Sequence, residues 1–446
     1  MAGALLTDLY QLTMAHAYFE EGMCDTAVFE LFVRRLPPAR RFLIAAGLEQ
    51  ALGFIGELRF TAGELEFLAR EGSFTPRFLD YLSNLRFTGT VHALPEGTPF
   101  FAEEPILRVT APIIEAQLLE SRLINIVHFQ TLIASKAVRC VIAARSRGLI
   151  DFGMRRAHEG DAALFAARAA YVAGFDATAT VEAGRFWGIP ISGTVAHSYI
   201  EAHDDEEQAF RRFVASRPSR TTLLIDTYDT RRAAEKVARL ESELRAQRSS
   251  HGVDFVRIDS GDLGAEAQEV RRILDERGCP EVRIALSGGL DEHQIAALVS
   301  SGAPVDAFGV GTTLAVSADA PALDVAYKLQ MYAGRPTLKR SPGKATWPGA
   351  KQVFREYRAE GVALRDRIVL EKESSVGVPL LTEVMRGGRT LLAPRPLEAI
   401  RHDCAKQLRT LPCYLLELDG NPPQSPSGTY PIIRSAAIEA LAARAG

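Results

Sequence analysis

The 446-residue chain predicts an α/β fold, an irregular TIM-like α/β barrel plus a smaller α+β sandwich-like domain formed from both chain ends. The first observation is a series of short apolar runs from about Gly148: GLIDFGMRRAHE, GFDATAT, GIPISGTVAHS, TLLIDTYDT, VDFVRIDSGDL, VRIALSGGL and VDAFGVGTT. Each ends in a polar or glycine-rich loop, and alanine-rich helical segments follow. Strands alternating with helices pair in parallel through crossovers, and a long series closes most economically into a barrel. The second observation is the change of texture on either side. VHALPEGTPFFAEEPILRV alternates like strands, and the tail after about Lys339 alternates before turning Pro/Gly-rich. The expected division is 1–125 for the N-terminal part of the sandwich-like domain, 126–335 for the barrel, and 336–446 for the segment that completes the first.

Between these regions, EAQLLESRLINIVHFQTLIASKAVRCVIAARS carries apolar residues at helical spacing and predicts a long helix leading into the barrel. Hydrophobic residues make up 47%, charged ones 24%, and the net charge is -3, which argues against a nucleic-acid or membrane surface. The five cysteines (Cys24, Cys140, Cys279, Cys404, Cys413) are odd in number and widely spread, without a CxxC pair. That pattern supports neither a disulfide framework nor a zinc knuckle. The N-terminus MAGALLTDLYQLTMA has Asp8 early and no basic n-region, and no window approaches ~18 uninterrupted apolar residues. A cytoplasmic protein that is not exported is the expectation.

Loops that follow barrel strands build active sites, so polar residues at the strand ends are the candidates. VRIDSGDL sets Arg257, Asp259 and Asp262 around a sharp turn at Gly261. Carboxylates there suit sugar hydroxyls or a hydrated magnesium ion; the same letters also read as an Asx turn capping the next helix. LSGGLDE and FGVGTTLA bring Ser287, Gly288 and Gly289, then Gly309, Gly311 and Thr312, between strand and helix. Backbone N–H groups in such loops converge on phosphate, unless the glycines simply make tight turns. Neither loop completes a dinucleotide fingerprint or a Walker loop.

IDTYDT adds Asp226 and Asp229, one a metal or ribose ligand and the other a helix cap. DFGMRR offers Phe152 with Arg155 and Arg156 to a flat anionic ligand, or else a core phenylalanine beside solvated arginines. In GTVAHS, His197 stands among Gly193, Thr194, Ala196 and Ser198. Such small neighbours leave an imidazole accessible as a nucleophile or proton carrier, the alternative being a satisfied, half-buried histidine. Metal binding is not expected, because His203 is six residues on and no Cys joins the pair.

TDLYQLTMA, FELFVRRLP, PEGTPFFAEEPILRV, DFGMRR, GTVAHS, VRIDSGDL, FGVGT and WPGAKQVFR together resemble the nicotinate phosphoribosyltransferase family, in the family's order and over nearly the whole chain. The resemblance implies a type II phosphoribosyltransferase acting as a homodimer with interface active sites. It implies joining of nicotinate to phosphoribosyl pyrophosphate, giving nicotinate mononucleotide and pyrophosphate for NAD salvage, with ATP as co-substrate and Mg²⁺ as cofactor.

By the same resemblance, His197 is phosphorylated by ATP, Asp259 holds the ribose hydroxyls and Arg257 lies near the ribosyl phosphate. Ser287, Gly288, Gly289, Gly309, Gly311 and Thr312 cradle the 5′-phosphate, and Asp226 contacts magnesium. Phe152 stacks on the pyridine ring with Tyr10 of the partner subunit opposite, while Arg155 approaches the carboxylate. The nicotinamide enzyme carries an amide-selecting aspartate in the strand after DFG; here Asp176 is expected to begin that strand, leaving Thr178 or Thr180 toward the substrate. Nicotinamide or quinolinate phosphoribosyltransferases, and a nucleotide-binding barrel without turnover, are the rival readings.

Overall fold

The computed structural model describes residues 3–217, 219, 221–247, 250–339, 341, 346–418 and 429–444. The chain divides into two compact units, Met1–Ser135 with Ala322–Gly446, and Lys136–Pro321. These boundaries differ from the expected 125/126 and 335/336, and the hydrogen bonds give the reason. Strand Val325–Tyr332 pairs along the full length of Thr26–Val33 and so belongs to the first unit. The helix Glu120–Ala144 passes position 125 unbroken, and as far as Ser135 it serves first-unit partners: Arg40 donates to Leu132 O, and Ile44 N donates to Ser135 Oγ. That helix is the one described helix long and apolar enough to cross a membrane, and 78% of its apolar window is buried inside the protein.

In the first unit both chain ends contribute to the seven-stranded sheet, whereas the four-stranded sheet comes from the C-terminal segment alone. In the seven-stranded sheet, Thr26–Val33 lies between Val325–Tyr332 and the central strand Pro105–Pro112. TAVFELFV is apolar without alternation because both its faces are covered. A four-stranded sheet joins Lys351–Tyr357 and Ala363–Leu370 with short strands at Val378–Pro379 and Ile432–Arg434. Buried ion pairs tie these elements, Lys351 to Glu30 at 2.8 Å and Arg355 to Asp366 at 2.6 Å. Unpaired, such charges would be costly to bury.

The second unit holds six parallel strands in the order Ala177–Thr178, Gly148–Asp151, Ala307–Val310, Arg283–Leu286, Val253–Ile258, Thr221–Leu224. The last strand in sequence lies beside the first, the circular order of a barrel. Between the two edge strands runs GIPISGT, too interrupted by glycine and proline to pair as a full strand. Thr178 N nevertheless donates to Pro190 O and Ser192 N to Thr178 O, both at 3.0 Å. On the other side Thr194 Oγ1 donates to Thr222 O at 2.9 Å. This segment is the barrel's irregular seam. The crossover helices turn small apolar stripes inward: Ala233, Ala234, Val237 and Ala238 in Thr230–Ala246, Ala267, Val270 and Leu274 in Leu263–Glu276.

Candidate active site

The strand ends of the second unit open into a cleft of about 820 Å³ whose walls include Phe152, Arg155, Ala179, His197, Arg257, Asp259, Ser287, Gly289, Gly309 and Thr312. Another cavity, about 570 Å³, lies in the first unit among Phe19, Arg77, Tyr81 and Glu115 and holds none of the residues singled out from the sequence.

Residues 257 and 259 are two apart at the end of Val253–Ile258, so the strand's period projects both to one side. Arg257 Nη2 donates to Asp259 Oδ1 at 2.6 Å, and Arg257 Nε donates to Ser287 Oγ at 2.8 Å. Ser287 Oγ donates in turn to Asp259 Oδ1. Burial works against the Asp259 charge, but the Ser287 hydroxyl, the Arg257 guanidinium and the neighbouring His197 outweigh it and hold the carboxyl below its usual range. Asp259 is therefore a committed anion in the cleft.

The glycines around it have separate reasons. A Cβ at Gly288 would stand 2.0 Å from Asp259 O, and its φ of +96° favours glycine independently. A Cβ at Gly309 would stand 2.4 Å from the Phe152 ring. The missing side chain leaves room for the ring against the strand end, with the Arg257 guanidinium carbon 5.2 Å from its centroid. The N–H groups of Gly288 and Gly289 have no acceptor among the described residues, so both are free to meet an anion.

His197 opens the short helix His197–Glu201, half-buried, its Nδ1 3.1 Å from Thr227 Oγ1. Thr227 follows Asp226, whose Oδ2 accepts from Asp259 N at 3.0 Å and from Ser260 Oγ at 2.6 Å. Asp226 Oδ1 is buried without a hydrogen-bond partner among the described residues, an orphaned oxygen that fits a hard cation. Among the described residues no group of three or more His, Cys, Asp or Glu is placed to hold a metal by itself, so a cation at Asp226 would need ligands from outside the protein.

Residues 5–128 match the model of the nicotinate phosphoribosyltransferase N-terminal domain, and residues 148–340 match the model of the nicotinate phosphoribosyltransferase family. The chain belongs to the nicotinate phosphoribosyltransferase family. A nicotinate phosphoribosyltransferase of Mycobacterium tuberculosis is 46% identical over 418 residues, covering 94% of this chain and 89% of that protein. One from Bacillus subtilis is 41% identical over 387 residues, covering 83% and 78%. The crystal structure of human nicotinic acid phosphoribosyltransferase superposes with a TM-score of 0.84 at 28% identity, over 98% of this chain and 99% of that one.

Of the remaining candidates of this nicotinate phosphoribosyltransferase family member, Arg155 and Arg156 belong to the cleft and the others lie away from it. Thr178 and Thr180 do not line it: the Thr178 hydroxyl donates to Asp151 Oδ2 at 2.7 Å and accepts from Thr180 N at 3.0 Å, and Thr180 is itself buried. Ala179 and Val181 form the wall there instead. Asp176 stands at the opposite end of the strand, accepting from Leu149 N at 2.9 Å. Asp229 and Asp262 cap helices, accepting from Arg232 N at 3.0 Å and Ala265 N at 3.1 Å. Tyr10 is an exposed residue of the first unit, on helix Leu9–Glu20. Arg155 and Arg156 line the cleft from the turn Met154–Arg156.

Two residues escaped the sequence reading. Asp151 is buried and accepts from Gly153 N at 2.8 Å as well as from Thr178, fixing the turn that presents Phe152. Its signal was the Asp two residues before a glycine at a strand end. Thr227 had no such signal.

Proposed function

We propose that this chain transfers the phosphoribosyl group of phosphoribosyl pyrophosphate to the ring nitrogen of nicotinate, releasing pyrophosphate, in the salvage of NAD. The observation that carries it is the Arg257–Asp259–Ser287 cluster beside the free N–H groups of Gly288 and Gly289. A pyridine nitrogen already has a free lone pair, so no general base is needed. It attacks the anomeric carbon as the bond to pyrophosphate breaks, and the electron pair leaves with the pyrophosphate. The transition state carries oxocarbenium character, which the Asp259 anion offsets while its oxygens hold the ribose hydroxyls. Arg257 and the glycine loops bind the phosphate, and Phe152 offers its ring to the pyridine.

Acid is favoured over amide because Ala179 and Val181 present no carboxylate to an amide N–H₂, and Arg155 and Arg156 offer cations to a carboxylate. Asp226 would hold Mg²⁺, whose charge would offset that of the departing pyrophosphate. His197 takes a phosphoryl group from ATP, giving the reaction a ligase-like coupling. The working form is a homodimer in which Tyr10 of the partner subunit covers the pyridine, and the five free cysteines accord with a reducing cytoplasm. The test is incubation of the purified protein with nicotinate, phosphoribosyl pyrophosphate, Mg²⁺ and ATP. Nicotinate mononucleotide and pyrophosphate are expected in equal amounts; a folded protein that makes neither refutes the reading.

A further inference from the structure

We propose that Thr227 is a positioning residue for the phosphoryl-accepting histidine: it holds His197 through Nδ1 and leaves Nε2 as the nitrogen that takes the phosphoryl group. This rests on the ATP-coupled reading of His197 given above. The observation is the 3.1 Å contact between Thr227 Oγ1 and His197 Nδ1. His197 lines the cleft and Thr227 does not, so Thr227 acts through the ring and not on a ligand.

The threonine is well fixed for this purpose. Its neighbour Asp226 is pinned by Asp259 N at 3.0 Å and by the Ser260 hydroxyl at 2.6 Å, so the loop that carries Thr227 is tied to the loop that carries Asp259. An imidazole whose Nδ1–H donates to a hydroxyl oxygen has its lone pair on Nε2.

The step then balances without a separate base. The Nε2 lone pair bonds to the γ-phosphorus of ATP, the bond from that phosphorus to the β,γ-bridging oxygen breaks, and ADP leaves with the electron pair. The Nδ1 proton stays on the ring. As the ring gains positive charge the Nδ1–H bond to Thr227 Oγ1 strengthens, which places the stabilisation in the transition state.

The experiment uses the full chain with ³²P-labelled ATP, together with ³¹P NMR of the alkali-stable phosphohistidine to identify the nitrogen. The wild type is expected to carry phosphate on Nε2 of His197. Thr227→Val, which keeps the shape and removes the oxygen, should be phosphorylated about tenfold more slowly or worse. Thr227→Ser, which keeps the oxygen, should recover most of the rate, a rescue that a merely structural role would not give. Phosphate on Nδ1 of the wild type, or a Thr227→Val rate equal to that of the wild type, overturns the proposal. A wild type that makes nicotinate mononucleotide yet takes no phosphate removes the coupling reading and this proposal with it, while leaving the transfer chemistry standing.

Discussion

Arg257 Nη2 and Asp259 Oδ1 lie 2.6 Å apart on one side of a strand end, and the Ser287 hydroxyl from the adjacent strand closes the triangle on the same oxygen. One carboxylate oxygen is thus saturated by the protein, and the other remains for a ligand. This division of labour makes Asp259 both an anchored and an available anion.

Asp259→Asn tests that role with little change of shape. Transfer should fall by about 10²-fold or more in kcat/KM with or without ATP, because ribose positioning is common to both. Since the folded carboxyl is held below its usual range, wild-type kcat/KM should show no loss assignable to Asp259 between pH 7 and about pH 5. Steady-state kinetics across that interval check both statements; a fully active Asp259→Asn removes the residue from the site.

Gly288→Ala separates steric approach from backbone strain. Its Cβ would press on Asp259 O at 2.0 Å, whereas Gly278, also at positive φ, has open space around it. Gly278→Ala should cost on the order of 1 kcal/mol by strain alone, and Gly288→Ala appreciably more, with transfer lost as the Asp259 loop shifts. Urea denaturation of the two variants reads the difference. Equal costs would mean that the loop yields freely.

In the first unit, Glu104 Oε1 is buried with no hydrogen-bond donor facing it among the described residues, beside Asp366, which already serves Arg355 and the Tyr430 hydroxyl. Burial first, then the Asp366 charge, pushes the Glu104 carboxyl well above its usual range, so the folded chain keeps a proton that the unfolded chain gives up. Its contribution is full below the unfolded value of about 4.3 and declines as pH rises toward the folded one, by up to ~1.4 kcal/mol per pH unit. Glu104→Gln, which carries its donor at every pH, should flatten the pH dependence of the urea midpoint between pH 5 and 8. An unchanged slope would contradict a protonated Glu104.

Tyr10 gives an intermolecular test. Tyr10→Ala and Asp259→Asn proteins, each impaired alone, should regain activity when mixed, through hybrid dimers with one intact site. No recovery after demonstrated subunit exchange would argue that each chain's site is self-contained.

The sequence made the barrel legible because the strand ends, Ala177–Thr178 excepted, announced themselves with glycine or aspartate, and residues spaced by two, such as Arg257 and Asp259, could be set on one face. Facing failed at Thr178 and Thr180. Their strand has only two residues, Ala177–Thr178, and Asp151 draws the Thr178 hydroxyl inward, so Ala179 meets the cleft instead. Asp229 and Asp262 read equally as ligands or caps until the helices after them supplied the N–H groups. Thr227 was invisible for a different reason: only the barrel's curvature brings it to His197, thirty residues earlier.

The most direct measurement is product formation by the purified protein with phosphoribosyl pyrophosphate and Mg²⁺, comparing nicotinate, nicotinamide and quinolinate, each with and without ATP. Nicotinate mononucleotide is the expected preferred product, stimulated by ATP, with the stimulation absent in His197→Ala. Preference for nicotinamide or quinolinate would contradict the assignment of the base, and an undiminished ATP response in His197→Ala would contradict the role given to that histidine.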